Sequence, residues 1–232
     1  MRLTIIRNDP DVPAGHLERV SLARGVAIDL VCLDAGDPLP DVAGIDAVAV
    51  LGGEMGAYDT DRVPYLDDEK RWLATATHAG LPVLGLCLGC QILADALGGS
   101  AHLADRPEVA YDVLDVVDDP VVGFLGARAS LAMHRDTWTL PPGGTLVAWN
   151  RRFRQAFRHG SALGIQTHPE VDADVLRGWL DHPGTEAMLE AAGADTDELE
   201  AKVTSAEGDI ATTADLVFGA WLDEAAERSA IR

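Results

Sequence analysis

Val83-Leu84-Gly85-Leu86-Cys87-Leu88-Gly89-Cys90-Gln91 runs from a short apolar stretch into a helix-forming segment, with a cysteine at the joint and a glycine two residues to either side. Pro82–Leu86 reads as a buried strand, and Leu88–Leu97 as a helix stopped by Gly98-Gly99. A strand that turns this sharply into a helix forms a nucleophile elbow, here G-x-C-x-G with cysteine in the place of serine. The glycines let neighbouring backbone approach where a Cβ would clash, and the turn holds the cysteine in a strained conformation. The start of the helix favours negative charge at the sulfur, and the Leu88 N–H is placed to donate to an oxyanion. Two other readings of this cysteine stand beside the nucleophile: a buried structural thiol, and a C-x-x-C redox pair of Cys87 and Cys90. A zinc site lacks the second ligand pair it needs.

Upstream, Leu3–Arg7, Ala27–Leu33 and Ala47–Leu51 read as strands, and Gly15–Arg24 and Tyr65–Ala79 as helices. Strands that alternate with helices imply an α/β fold, a doubly wound and mainly parallel sheet with helices on both faces. Downstream, Val109–Val117, Ser130–Met133, Thr145–Asn150, Phe153–Phe157 and Ala162–Gln166 are short β segments separated by turn signals such as Pro141-Pro142-Gly143-Gly144. These are expected to form hairpins that extend the sheet antiparallel. Helical patterns return at Val175–Leu180, Thr196–Val203 and Ala214–Ala226. No linker divides the chain, so one domain over residues 1–232 is expected.

The formal net charge of −20 argues against nucleic acid or an anionic membrane surface as partner. No run approaches the ~18 apolar residues of a membrane helix. The opening segment breaks into Asn8-Asp9-Pro10 too soon for a signal peptide, and three cysteines make no disulfide framework. A reduced, cytoplasmic protein is expected. Arg151, Arg152, Arg154 and Arg158 form a local basic cluster that could meet an anionic acceptor or a partner subunit; Arg152, Arg154 and Arg158 read more simply as the outer face of a half-exposed strand, with Phe153 and Phe157 on the inner one.

Gln166-Thr167-His168-Pro169-Glu170 ends a strand with a histidine and a glutamate two residues apart. Attack of a thiolate on an amide needs a group that returns a proton to the departing nitrogen, which suits imidazole. The imidazole in turn needs an acceptor on its other nitrogen, and Pro169 stiffens a turn that folds Glu170 back onto it. Nucleophile, histidine, then acid is not the order of an α/β-hydrolase, where the acid precedes the histidine.

Taken together these segments resemble the class I glutamine amidotransferases, and most nearly the free-standing proteins similar to the glutaminase domain of GMP synthase. Gly85–Gln91 and Gln166–Glu170 carry the resemblance. Leu51-Gly52-Gly53-Glu54-Met55, Asp61–Lys70 and His134-Arg135-Asp136 support it. The resemblance implies Cys87 as nucleophile, His168 as general base and acid, and Glu170 as its orienter. It implies an oxyanion hole from the backbone N–H groups of Gly53 and Leu88, Gln91 as a residue that helps bind the glutamyl part of the substrate, and His134 as a lining residue of the substrate cleft. The implied reaction is hydrolysis of a γ-glutamyl amide through a thioester, with no metal or cofactor. The substrate would be a small γ-glutamyl compound, and a synthetase is a possible partner. Glu54, Arg135 and Thr167 stand where the family has proline, glycine and an aromatic, and all three are expected to border the cleft. The sequence carries no G-x-x-x-x-G-K-[ST] run for ATP. A thiol redox protein and a catalytically silent binding subunit remain as alternatives of other classes.

Overall fold

Four parallel strands form one half of the sheet, from the edge strand inward: β2 (Ala27–Cys32), β1 (Arg2–Arg7), β3 (Ala47–Val50) and β4 (Val83–Leu86). The structure, a computed structural model, describes residues 1–231. β3 and β4 are buried along their whole length, as strands covered on both faces must be. On one face lie α1 (Gly15–Ala23) and the long C-terminal helix α7 (Glu207–Ser229), whose Val217, Phe218, Trp221 and Leu222 pack with Leu3, Ile5 and Leu84. On the other lie α2 (Tyr65–His78) and α3 (Leu88–Ala96), with Leu66, Leu73, Ile92 and Leu93 against Val48, Val50 and Val83.

The expected antiparallel extension is present. β10 (Ala162–Ile165) pairs parallel with β4 and antiparallel with β9 (Arg154–His159). β8 (Thr145–Trp149) and the two-residue β6 (Asp115–Val116) follow, giving the order β2-β1-β3-β4-β10-β9-β8-β6. β5 (Ser100–Asp112) and β7 (Ser130–Thr139) do not join this sheet. They pair with each other as a separate ribbon whose register shifts between Leu103 and Glu108, where Pro107 withholds an N–H from the ladder. The expectation of a single extended sheet is corrected there, and the strand read as Val109–Val117 is two strands broken between Asp112 and Asp115.

After β10 come α4 (Ala173–Leu180), α5 (Thr185–Ala192) and α6 (Thr196–Ser205). They share a third, small core with the ribbon, through Leu131, Met133, Leu176, Leu189 and Val203. That core fixes α4 and α5 over the end of the sheet where β4 and β10 finish, which is where the functional residues lie. Among the described residues no helix is long and apolar enough to cross a membrane.

Candidate active site

Cys87 is the N-cap of α3 and has φ 51° and ψ −107°, the one non-glycine residue with positive φ among those described. Such a backbone costs of order 1–3 kcal/mol and persists only when the surroundings hold it. They do so through the two glycines. A Cβ on Gly85 would sit 2.5 Å from the Gly89 carbonyl oxygen, and one on Gly89 would sit 2.3 Å from the Val50 carbonyl oxygen. The Cys87 N–H donates to Ile165 O at 2.9 Å, which ties the elbow to β10. Leu88 opens α3, so its N–H is one of those that a helix leaves without an intrahelical acceptor.

His168 follows β10 directly and is tied to the ribbon by its N–H, which donates to Leu131 O at 2.7 Å. Its Nδ1 lies 2.7 Å from Glu170 Oε1, and both side chains are buried. The Glu170 turn is itself held by α1: the His16 N–H donates to Glu170 O at 2.8 Å, and Gly15 admits that approach with φ 49°. A side chain on Gly15 would bring a Cβ within 2.2 Å of the same oxygen. His168 Nε2 is buried with no hydrogen-bond partner of ordinary geometry, and the Cys87 sulfur lies beside it. Burial pushes the imidazole pKa down. The charges and hydrogen bonds of Cys87 and Glu170 outweigh this and hold it well above the usual histidine value. The arrangement therefore suits an imidazolium beside sulfur, with one N–H fixed on a carboxylate and the other aimed at the reaction centre.

Gly52 and Gly53 face this pair. A Cβ on Gly52 would meet Cys87 Cβ at 3.5 Å and His168 Cε1 at 3.6 Å. On Gly53 it would strike Met55 Sδ at 2.7 Å and Leu88 at 2.8 Å. The loop is braced by Asp9, whose Oδ2 accepts the Glu54 N–H at 3.0 Å. Gln91 Nε2 donates to Gln166 Oε1 at 3.2 Å, and Gln166 Nε2 points to Cys87 Sγ at 3.6 Å. Gln166 is the buried neighbour of the sulfur that the sequence reading passed over; its signal was its place two residues before His168, on the same side of the chain.

These groups open onto a cleft of about 420 Å³ lined by Cys87, Gln91, His134, Asp136, His168 and Gly53, and by residues of α4, α5 and the turn between them. His134 is at the cleft, but both its ring nitrogens are engaged within the protein, Nδ1 with Asp136 O at 2.9 Å and Nε2 with Glu108 Oε2 at 2.8 Å. Burial raises the Glu108 pKa, but hydrogen bonds from His134, Gln155 and Asn150 bring it below the ordinary value. His134 thus braces the cleft floor and offers no ring nitrogen to a ligand. Glu54 and Arg135 border the cleft as expected. Thr167 does not: it is 1 % exposed and turned away, because successive side chains of an extended segment alternate and Gln166 and His168 take the cleft side.

Cys90 is fully buried, and burial, with a smaller push from Cys87, raises its pKa well above the usual thiol value. That is the environment of an inert thiol rather than of half a redox pair. Arg158 of the basic cluster is neutralised by Asp119 and Glu224, at 2.7 and 2.9 Å, and Arg154 donates to Trp138 O. Among the described residues no His/Cys/Asp/Glu group is arranged to hold a metal ion.

A family model described as glutamine amidotransferase class-I matches residues 16–177. The chain is 26% identical over 204 residues to the glutamine amidotransferase-like protein YfeJ of Salmonella typhimurium, covering 83% of this chain and 85% of that protein. It is 33% identical over 156 residues to a GMP synthase (glutamine-hydrolyzing) of Thermus thermophilus, covering 65% of this chain but 29% of the synthase. The crystal structure of a glutamine amidotransferase from Thermotoga maritima superposes with a TM-score of 0.81 at 26% identity, over 99% of this chain and 97% of the other.

Proposed function

Since the chain belongs to the class I glutamine amidotransferase family, we propose that it hydrolyses the side-chain amide of glutamine or a related γ-glutamyl amide through a thioester on Cys87. The observation that carries this reading is the juxtaposition of a strained, elbow-mounted cysteine with a buried histidine whose far nitrogen is locked on a carboxylate. In the proposed sequence the Cys87 thiolate attacks the amide carbon. Negative charge gathers on the carbonyl oxygen, where the N–H groups of Gly53 and Leu88 receive it. The C–N bond breaks as His168 gives a proton to the departing nitrogen. Water, deprotonated by His168, then attacks the thioester and releases glutamate. Glu170 keeps the imidazole in the orientation both steps need. No step requires a metal, a cofactor or ATP.

The purified chain, incubated with glutamine and a panel of γ-glutamyl amides, is expected to release glutamate at a rate that ATP does not change. A second reading is a glutaminase subunit that delivers ammonia to a separate synthetase, favoured by the similarity to GMP synthases, of which this chain spans under a third. A chain that is idle alone and active only with a synthetase would support that reading over the first.

A further inference from the structure

His168 marks the side of the cleft on which the leaving group must lie, because the departing nitrogen takes its proton from Nε2. The walls on that side come from α4 and α5. Trp179 sets its ring edge-on to His168 with centroids 4.9 Å apart, and its indole N–H donates to Asp11 O at 2.9 Å. Val12, Val175, Met133 and Met188 complete an apolar surround. The polar side chains at the mouth already contact one another or the backbone. His182 Nδ1 lies 2.8 Å from Glu54 Oε1, and Nε2 lies 3.8 Å from Asp11 Oδ2. Arg135 donates to the Glu54 carbonyl at 2.5 Å.

Ammonia, the leaving group of glutamine, needs no such wall. At about 30 Å³ for each water the 420 Å³ cleft has room for roughly fourteen. Glutamine, with about ten non-hydrogen atoms, each bonded and smaller than a water, leaves part of a cleft of this size unfilled. Trp179, His182 and Met188 also lie outside residues 16–177, the stretch that matches the family.

We propose that this pocket is a leaving-group subsite for an uncharged apolar amine, and that the preferred substrate is a γ-glutamyl amide carrying an alkyl or aryl group on its nitrogen. The inference rests on the amidase reading above and narrows it. The bonds balance as before: one water is consumed, the C–N bond is cleaved, and the products are glutamate and the free amine. Methionines suit such a site because their unbranched, polarizable side chains fit substituents of varied shape.

The test is kcat/KM for glutamate release by the pure wild-type chain from glutamine and from the γ-glutamyl amides of methylamine, ethylamine, butylamine and glycine. The expected result is a rise of about threefold to fourfold per added methylene, with the glycine compound, which brings a carboxylate, below the methylamide. Met188→Asp is expected to lower the butylamide-to-methylamide ratio at least tenfold. Turnover of glutamine with no gain along the alkyl series, or a ratio that Met188→Asp leaves alone, overturns the subsite while sparing the amidase reading. No glutamate from any compound overturns both.

Discussion

His168 carries the sharpest electrostatic signature among the residues of the candidate triad. Burial alone would strip its proton, yet Cys87 and Glu170 hold its pKa well above the usual value. The imidazolium therefore survives through neutral pH, and kcat/KM should fall on the alkaline side as the proton needed by the leaving nitrogen is lost. Replacing Glu170 by Gln removes one of the charges that raise that pKa, so the alkaline limb should move to lower pH and the maximal rate should drop. A pH profile of glutamate release for both proteins checks this; an unmoved limb contradicts the assigned role of Glu170. Cys87, His168 and Glu170 were legible because each sits in a short local pattern. Trp179 and His182 were not, since their partners His168, Asp11 and Glu54 are distant in sequence and no local spacing announces the contact.

The elements of the central sheet were legible because strands buried on both faces read as apolar runs, and α2 and α3 because their inward residues recur at helical spacing. The β5–β7 ribbon was misassigned: whether a strand joins the main sheet depends on pairing between distant segments, which short patterns do not specify. α5 was missed altogether; Pro183-Gly184 and Gly193 punctuate so short a segment that it passes for loop. Between α2 and the end of β1 lies an element-scale feature that no local pattern revealed. Glu69 is fully buried, accepts one hydrogen bond from Asn8 Nδ2 at 3.2 Å, and has no partner for Oε2, while Asn8 Oδ1 is also unpartnered. Burial raises its pKa from 4.5 to about 7, against smaller opposing effects of Asn8 and Lys70. The unfolded chain loses this proton near pH 4.5 and the folded chain near 7, so ionisation in that window favours unfolding. Stability from this group is full below about pH 4.5 and declines until pH passes about 7, by on the order of 3 kcal/mol. Glu69→Gln, which keeps the shape and supplies a donor for Asn8 Oδ1, should flatten the dependence and raise Tm at pH 8. Denaturant titrations at pH 5 and pH 8 check it; an unchanged difference between the two would count against a buried, late-titrating Glu69.

At the scale of the molecule, three small cores divide the work. Two clamp the sheet between α1 and α7 on one face and α2 and α3 on the other, and so fix the elbow at the end of β4. The third holds the β5–β7 ribbon and α4 to α6 together, and so sets the wall of the cleft above His168. The first two lie largely within the stretch that matches the family, and much of the third lies beyond it. The proposed chemistry requires that a γ-glutamyl group be carried on Cys87. The direct measurement is mass spectrometry of peptides from the protein, acid-quenched during turnover of a γ-glutamyl amide. A γ-glutamyl adduct is expected on the peptide bearing Cys87, retained in Cys90→Ala and absent from Cys87→Ala together with all glutamate release. Glutamate release that persists in Cys87→Ala, or an adduct on Cys90 instead, would contradict it.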